Sequence, residues 1–544
     1  MYNLHIVSHT HWDREWYLTF QQFRMKLVQL VDGLLALLET DPEYKHFMLD
    51  GQTIVLDDYL QIRPDRETTL RDYVQSGRLL IGPWHVLPDE FLVSPEATIR
   101  NLLQGARTAR RFGPPMMIGY IPDPFGHIGQ LPQILQGFGI ETAIFRRGLS
   151  DEPCELWWQA PDGSRVLTIY LRDGYDNAAF LPTSDPENFV SEVSRLRDSL
   201  LPFTSTPNIL LMQGTDHMEP RVDTAAALAS VNGRLGNDIL VHSTLPAYVN
   251  SVCAWLSDHN QLSVIPTVVG ELRSPKRHHL LPGVLSSRMW IKQRNHYCEI
   301  LLEKWAEPFS VWANLLSGDT NLNPDRFVTA KLLLLQTWRM LMECHPHDSI
   351  CGCSVDQVHE EMRTRFDQVE QMAEEIILRS LQRLAKTINT QSPYSDSFAA
   401  VVVFNPNGGQ IPGTVTIPIE MPPSNGEFEI VDQDGNQLPY QIIERGLVDV
   451  AHLRLKRDEL HSAIALARGE RINGMAIRRF SFRRRAETLF IDLNMSMTGE
   501  SDSEAVQRGL EEIQKAMDDE SLSVFDVRAL TEEIVTVQFL ASDV

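Results

Sequence analysis

Through residues 1–275 the chain alternates short apolar runs with longer stretches whose apolar residues return every three or four positions. The short runs predict strands at 4–8, Phe47–Leu49, 79–81, 117–120, Thr142–Phe145, 166–171 and 208–214, since apolar runs of that length, bounded by turn residues, suit buried strands. The periodic stretches predict helices at 23–38, 54–61, 95–112, 129–138 and Pro186–Leu200. In the first of these, Leu27, Leu30, Val31, Leu34, Leu35 and Leu38 share one face. Strands that alternate with helices pair in parallel under a helical cover. The fold class is therefore α/β, with its sheet open or closed into a barrel. In either form the loops at the C-terminal ends of the strands carry the chemistry.

The period then changes twice. Residues 285–317 and 324–343 carry Leu, Trp and basic residues at helical spacing, and 354–389 alternates charges with Val358, Met362, Phe366, Val369, Met372, Ile376, Ile377, Leu381 and Leu384. These segments predict a helical bundle, their apolar stripe read as core rather than as a docking face. After the polar stretch 389–397, residues 399–408, 413–421, 428–443 and 532–540 read as strands around Asn-Pro, Asn-Gly and Asp-Gly turns. A β-sandwich-type domain is expected there, with a helix near 504–517 inside the charge-rich segment 456–518. Three domains follow: 1–275, 276–388 and 398–544. The last is expected to be truncated, because its final strand stops four residues before the C-terminus.

Composition narrows the partners. At 544 residues the chain exceeds one ordinary core. Its 49 Lys and Arg against 72 Asp and Glu leave a net charge of −23, which argues against nucleic acid or an anionic membrane as the main partner. No apolar run is long enough to span a membrane, and the N-terminus lacks the pattern of a secretory leader. The six cysteines are too sparse for a disulfide framework, so a cytoplasmic location is expected.

Four polar clusters carry candidate chemistry. The first, HIVSHTHWDREWY at 5–17, follows the first strand. In extended chain, residues two apart point the same way, so His9, His11 and Asp13 could share a face suited to a borderline dication. The second, 118–135, holds Asp123 between Pro122 and Pro124 ahead of Phe125, Gly126 and His127. The prolines stiffen that loop, so Asp123 is either an oriented carboxylate or a helix cap. In the third, NILLMQGTDHMEP at 208–220, Asp216 ends an apolar strand. Two facing carboxylates are what glycoside hydrolysis requires. The fourth, ECHPHDSICGCS at 343–354, sets His345, His347 and Asp348 beside Cys344, Cys351 and Cys353. Either the cysteines bind a metal as thiolates or one histidine completes the site begun at His11 and Asp13. The second reading is favoured, because Cys-x-Cys without a second cysteine pair is a weak zinc signature.

These four stretches, in this order, resemble glycoside hydrolase family 38, the retaining α-mannosidases. The resemblance rests on HTHWDREW at 9–16, DPFGH at 123–127, Gly-Thr-Asp at 214–216 and His-Asp-Ser at 347–349. MLDGQT at 48–53, GPWHVLPDE and LPGVLSSRMWIKQRN look similar to the bacterial cytoplasmic branch, which includes mannosylglycerate hydrolases. It covers residues 1–390 well and the rest in outline. It implies a seven-stranded (β/α) barrel, then a three-helix bundle that contributes to the active site, then β-sandwich domains. It implies Zn2+ on His11, Asp13, Asp123 and His347, with cobalt or manganese also compatible with those ligand types. Asp123 would be the nucleophile and Asp216 the acid/base. Trp16 would be the platform under the sugar, Asp348 a hydroxyl acceptor, and Arg146 or Arg147 the residue that orients Asp123.

The expected substrate is a mannose-containing oligosaccharide or mannoside, with no nucleic acid or membrane partner; a homo-oligomer is compatible with the sequence. Two rival readings compete. One is a metal-dependent amidohydrolase or sugar deacetylase, which needs no second carboxylate. The other is an inactive, truncated carbohydrate-binding protein.

Overall fold

The computed structural model describes the chain except for residues 232, 317–323, 392–396, 410–412, 421–427, 447–448, 457–470, 473–474, 486–487, 497–502, 520, 523, 532–533 and 542–544. It divides into two compact units, Met1–Thr387 and Ile388–Val544.

The first unit opens with β1 (Asn3–Thr10), α1 (Phe20–Thr40), β2 (Phe47–Leu49), α2 (Ile54–Leu60), α3 (Glu67–Gln75) and β3 (Leu79–Leu80). Next come α4 (Pro95–Ala109), β4 (Gly119–Tyr120), α5 (Leu131–Gly137), β5 (Thr142–Phe145), β6 (Glu155–Gln159) and β7 (Arg165–Tyr170). The run closes with α6 (Pro186–Leu200), β8 (Asn208–Gln213), α7 (Thr224–Val231), β9 (Ile239–His242), α8 (Leu245–Asp258) and β10 (Thr267–Val269). Helix starts follow capping chemistry. Ser94 accepts from the Ala97 amide and Asp185 from the Glu187 and Asn188 amides, each directly before a proline that needs no donor.

The strands form two sheets, not a closed seven-stranded barrel. One runs β3-β2-β1-β8, with β9 also on β1; the other runs β10-β6-β7-β5-β4. The physical reason lies at the two places where the sheets would have to join. β3 and β4 are two residues long and stand beside Pro83, Pro114, Pro115 and Pro122, which have no N–H for a ladder. Among the described residues, one backbone bond links those edges, from the Met116 amide to the Ile81 carbonyl at 2.9 Å. At the other edge, the Asn177 side chain accepts from the Met212 amide at 2.7 Å, and the Ala178 amide donates to the Met212 carbonyl. A loop thus occupies backbone groups at the outer edge of β8, and β7, flanked by β5 and β6, has no free edge to offer it. The sheets are also not wholly parallel, since β6 and β7 pair antiparallel.

The bundle consists of α9 (Met289–Ile300), α10 (Glu307–Leu316), α11 (Pro324–Met342), the short α12 (His347–Cys351) and α13 (Asp356–Ala385). α13 buries Val358, Met362, Phe366, Val369, Ala373, Ile376 and Leu384, the stripe expected of a core helix. Ile291, Trp338, Leu341 and Phe366 share one apolar cluster with Val93 and Ala97. That common core makes the bundle and the α/β region one body. Among the described residues, no helix is long and apolar enough to cross a membrane.

The second unit contains an antiparallel sheet, β11 (Gly413–Glu420), β20 (Ile534–Ala541) and β14 (Tyr440–Gly446), and a hairpin of β12 (Ile430–Val431) with β13 (Gln437–Leu438). A five-stranded sheet orders β15 (Asp449–Lys456), β19 (Val524–Thr531), β18 (Thr488–Ser496), β17 (Met475–Arg485) and β16 (Arg471–Ile472). The helix expected near 504–517 is present as α14 (Ser503–Met517). Its Ile513 and Leu510 pack with Leu489, Ile491 and Phe525, so this sheet is backed by a helix. The strand expected at 399–408 is absent, as Asn405 there turns the chain by accepting from the Asn407 amide. Parts of 389–397 and 456–518 lie outside the described residues.

Candidate active site

The site gathers at the C-terminal ends of strands from both sheets. β1 runs parallel to β8 up to Ser8 and Gln213, and the pairing resumes as a single bridge between His11 and Asp216. Between them, a Cβ on Gly214 would lie 2.0 Å from the His9 carbonyl. Only glycine lets the two strands approach so closely. On the other flank of β1, Thr10 pairs with Leu49, which sets Asp50 beside His11. Asp50 is fully buried with φ of 52°. It accepts from His11 Nδ1 at 3.0 Å, from the Trp12 amide at 2.7 Å and from Gln52 Nε2 at 2.9 Å.

Three ligand atoms converge here. His11 Nε2 stands 3.1 Å from Asp13 Oδ1, and His347 Nε2 stands 3.4 Å from the same oxygen. Candidate ligand atoms of the three residues all lie within 4.8 Å of one another. His11 Nε2, Asp13 Oδ1 and His347 Nε2 are buried without a hydrogen-bond partner, an arrangement that proteins avoid unless something else satisfies the atoms. Asp50 and the Leu87 carbonyl each take the Nδ1 proton of one histidine. Both rings thereby present an Nε2 lone pair to the same point, the usual second layer of a metal site. Charge agrees with geometry. Burial alone would keep His11 and His347 neutral, yet the surrounding carboxylates overcome it. Asp50 and Asp13 raise His11 well above its ordinary range, and Asp348, Asp123 and Asp13 push His347 up to about 10. The pocket thus calls for positive charge, and a dication on two imidazoles and a carboxylate fits it.

Asp123 stands at the rim of this group, its Oδ2 3.6 Å from His347 Nε2. Arg147 Nη2 donates to its Oδ1 at 2.8 Å, with Arg147 Nε at 3.2 Å and Arg146 Nη1 at 3.4 Å. Both arginines therefore reach it, Arg147 more closely. Burial would raise Asp123, but His347 and Arg147 outweigh it and hold the carboxyl well below the usual range. Asp216 is the opposite case. Burial, assisted by Asp13 and Asp123, raises it against the pull of His11 and of the Tyr175 hydroxyl, which donates to its Oδ1 at 2.9 Å. The site thus holds two carboxyls whose surroundings drive their acidities in opposite directions.

The other candidates lie as follows. Asp348 Oδ2 is 3.8 Å from His347 Nε2, and its Oδ1 accepts from Cys353 Sγ at 3.0 Å. Trp16 is half-buried, packs against the α1 core and meets Tyr17 edge-on at 5.0 Å. His9 does not join His11 and Asp13; its Nε2 bonds the Tyr175 carbonyl at 2.8 Å. His345 is buried and tied to Asn295 Oδ1. The six cysteines are unpaired, and among the described residues none joins the metal-type group. Cys351 donates to Asp89, and burial raises its thiol.

Sequence reasoning missed Asp50, Tyr175 and the joint use of both arginines. Asp50 lay within MLDGQT, directly after a predicted strand, where a buried Asp before Gly could have been suspected. Tyr175 follows β7 in Asp-Gly-Tyr and gave no such signal.

Residues 1–265 match the glycosyl hydrolases family 38 N-terminal domain, and residues 279–384 match the alpha mannosidase middle domain. A Halalkalibacterium halodurans protein named "Putative mannosylglycerate hydrolase" is 40% identical over 421 residues, covering 74% of this chain and 45% of its own length. Human alpha-mannosidase 2C1 is 24% identical, covering 68% of this chain and 34% of its own. The crystal structure of an alpha-mannosidase from Enterococcus faecalis V583 superposes with a TM-score of 0.76 at 27% identity, over 100% of this chain and 55% of that one. The chain thus spans about half or less of the length of the relatives it matches. On the strength of its N-terminal and middle domains, the chain belongs to glycosyl hydrolase family 38.

Proposed function

We propose that this protein is a retaining exo-α-mannosidase that hydrolyses terminal α-linked mannose with a divalent ion, zinc by ligand type, at His11, Asp13, Asp123 and His347. The observation that carries the reading is the convergence of three buried, unpartnered ligand atoms beside one carboxyl held ionised and a second held towards protonation. When bound, the ion would supply positive charge that fixes adjacent sugar hydroxyls and sharpens the preference for mannose, whose 2- and 3-hydroxyls are cis.

The chain's own groups do the rest. Arg147 and Arg146 fix one oxygen of Asp123, which leaves the carboxylate oriented. Asp123 attacks C1 and forms a mannosyl ester as the C1–O bond to the leaving group breaks. Asp216 gives its proton to that departing oxygen. In the second step Asp216, now ionised, takes a proton from water; the water oxygen bonds to C1 and Asp123 leaves as carboxylate. Two inversions give net retention. Trp16 would line the sugar and Asp348 accept a hydroxyl.

A carboxylate-bearing aglycone is a second reading. It draws on the name of the Halalkalibacterium relative and on Arg146, whose contacts to Asp123 and His278 are both long, at 3.4 Å.

The test is hydrolysis of para-nitrophenyl α-mannoside by metal-stripped protein, with and without zinc, the first product being read by NMR. Zinc-dependent release of α-mannose supports the proposal; β-mannose first would refute retention. Folded protein that binds zinc and mannose without turnover would instead identify a binding protein. Asp216→Ala should depress kcat/KM strongly for unactivated mannosides and little for activated aryl mannosides, whose kcat should still fall because the base of the second step is lost. Loss of kcat/KM to the same degree on both would refute Asp216 as the acid.

A further inference from the structure

The ligands of the proposed metal site lie more than three hundred residues apart in the chain, so something must bring their two segments into register. His11 and Asp13 follow β1, whereas His347 opens α12. Two residues beyond each ligand the segments are joined by a buried contact that the reaction does not use. Glu15, fully buried, accepts from Ser349 Oγ at 2.8 Å and from Arg365 Nη1 at 2.8 Å through one oxygen, and from Arg365 Nη2 at 2.5 Å through the other. Arg365, on α13, also donates to the Glu343 carbonyl at 2.8 Å, just before the loop that leads to His347. The arrangement is bidentate, which fixes direction as well as distance. Beside it Arg14 reaches Asp58 on α2 at 2.8 Å and Glu343 at 3.5 Å, and the Val355 amide donates to the Trp16 carbonyl at 2.9 Å.

A ligand set drawn from two distant segments binds an ion tightly only when those segments are already held at ligand spacing. A buried ion pair is weak evidence for overall stability, because desolvation offsets its attraction; its better attested use is to fix geometry.

We propose that Glu15, Arg365 and Ser349 form a latch that holds the His11–Asp13 segment and the His347 segment at ligand spacing, and so sets the affinity of the site for its divalent ion. Glu15 and Arg365 are positioning residues that touch neither the ion nor the sugar. The inference rests on the metal site of the proposed function.

Its test uses the full chain and zinc itself. Glu15→Gln leaves Arg365 buried without its counter-charge and is open to misfolding. The decisive variants are therefore the double substitution Glu15→Leu with Arg365→Met, which leaves no buried charge behind, and Ser349→Ala. Zinc affinity is measured by competition with a chromophoric chelator, and the thermal midpoint of the chelated protein reports the fold. The double variant should keep a near-native midpoint and bind zinc 10- to 100-fold more weakly, the usual effect of losing a residue that orients ligands. Ser349→Ala should lose less, and turnover lost at limiting zinc should return at saturating zinc. Wild-type zinc affinity in the double variant would overturn the latch alone. Wild-type protein that binds no divalent ion would overturn the metal site and the latch together.

Discussion

Substituting Tyr175 by Phe tests how Asp216, the proposed acid/base, is tuned. The Tyr175 hydroxyl donates to Asp216 Oδ1 at 2.9 Å, and a hydrogen bond to the ionised form favours that form. Burial raises Asp216 despite this bond, so removing the hydroxyl should raise it further. A hydrogen bond to a charged group contributes about 1.5–3 kcal/mol, and a tenfold change in proton affinity corresponds to about 1.4 kcal/mol. The full bond would therefore move the titration by roughly one to two pH units. Asp216 is partly exposed, and water can replace part of the bond, which brings the expectation to about one unit. The assay is kcat/KM against pH on an unactivated mannoside, because the departing oxygen then needs its proton. The acid works while Asp216 is protonated, so activity falls as pH rises through its titration. Tyr175→Phe should carry that alkaline limb upward by about one pH unit and leave it unchanged for an activated aryl mannoside. An alkaline limb that stays put or moves down on the unactivated substrate would refute the assignment of Asp216 as acid.

Three further outcomes follow from the same geometry. Chelation should abolish turnover, and zinc at a hundredfold excess over its dissociation constant should stabilise the protein by about 2.7 kcal/mol in chemical denaturation; no shift would contradict a bound ion. Gly214→Ala should destabilise by about 1–3 kcal/mol and weaken zinc binding, since the added Cβ meets the His9 carbonyl at 2.0 Å; native thermal stability would refute that packing argument. Glu155 is fully buried, and burial pushes its carboxyl from 4.5 up to about 6, although Thr204 and Ser205 donate to it. The fold favours its neutral form more than the unfolded chain does. Stability is thus full below pH 4.5 and falls as pH rises through about 6, by about 2 kcal/mol. Glu155→Gln, which can accept from the Ser205 amide and donate to Thr204, should remove that loss, and unfolding curves at pH 5 and 8 would show whether it does.

Ligand chemistry was legible in the sequence where it lay next to a strong local pattern. His11, Asp13 and Asp216 each follow an apolar strand, and the end of a strand is a place that hydrophobic runs mark well. His347 was visible as a residue type, but His345 was its equal in pattern. Their difference is tertiary: one ring meets Asp13, the other meets Asn295. The face shared by residues two apart misled for His9 because β1 ends at Thr10. Beyond that point the chain turns, and His9 instead bonds the loop that carries Tyr175. Asp50 was hidden for another reason. Its role depends on the parallel register that sets Leu49 beside Thr10, and periodicity carries no register between strands. The barrel expectation failed on strand length, which proline cut to two residues at β3 and β4.

The division into two sheets assigns the chemistry to two supports. His11, Asp13 and Asp216 extend from β1 and β8 of one sheet, while Asp123, Arg146 and Arg147 follow β4 and β5 of the other. A double displacement requires its two carboxyls at a set separation, close to 5 Å for retention. Here no shared ladder spans the sheets among the described residues, so that separation must be held in part by what bridges them. α12 is such a bridge. Its His347 faces Asp13 from one sheet and Asp123 from the other, and Pro346 pairs with Pro88 in the loop after β3. A cation at His347 would draw Asp13 and Asp123 towards one point, and Asp216, bridged to His11 on the Asp13 side, would be carried with that sheet. On the proposed function the helical bundle then takes part in holding the site, because α12 supplies His347, which stands 3.4 Å from Asp13 of one sheet and 3.6 Å from Asp123 of the other.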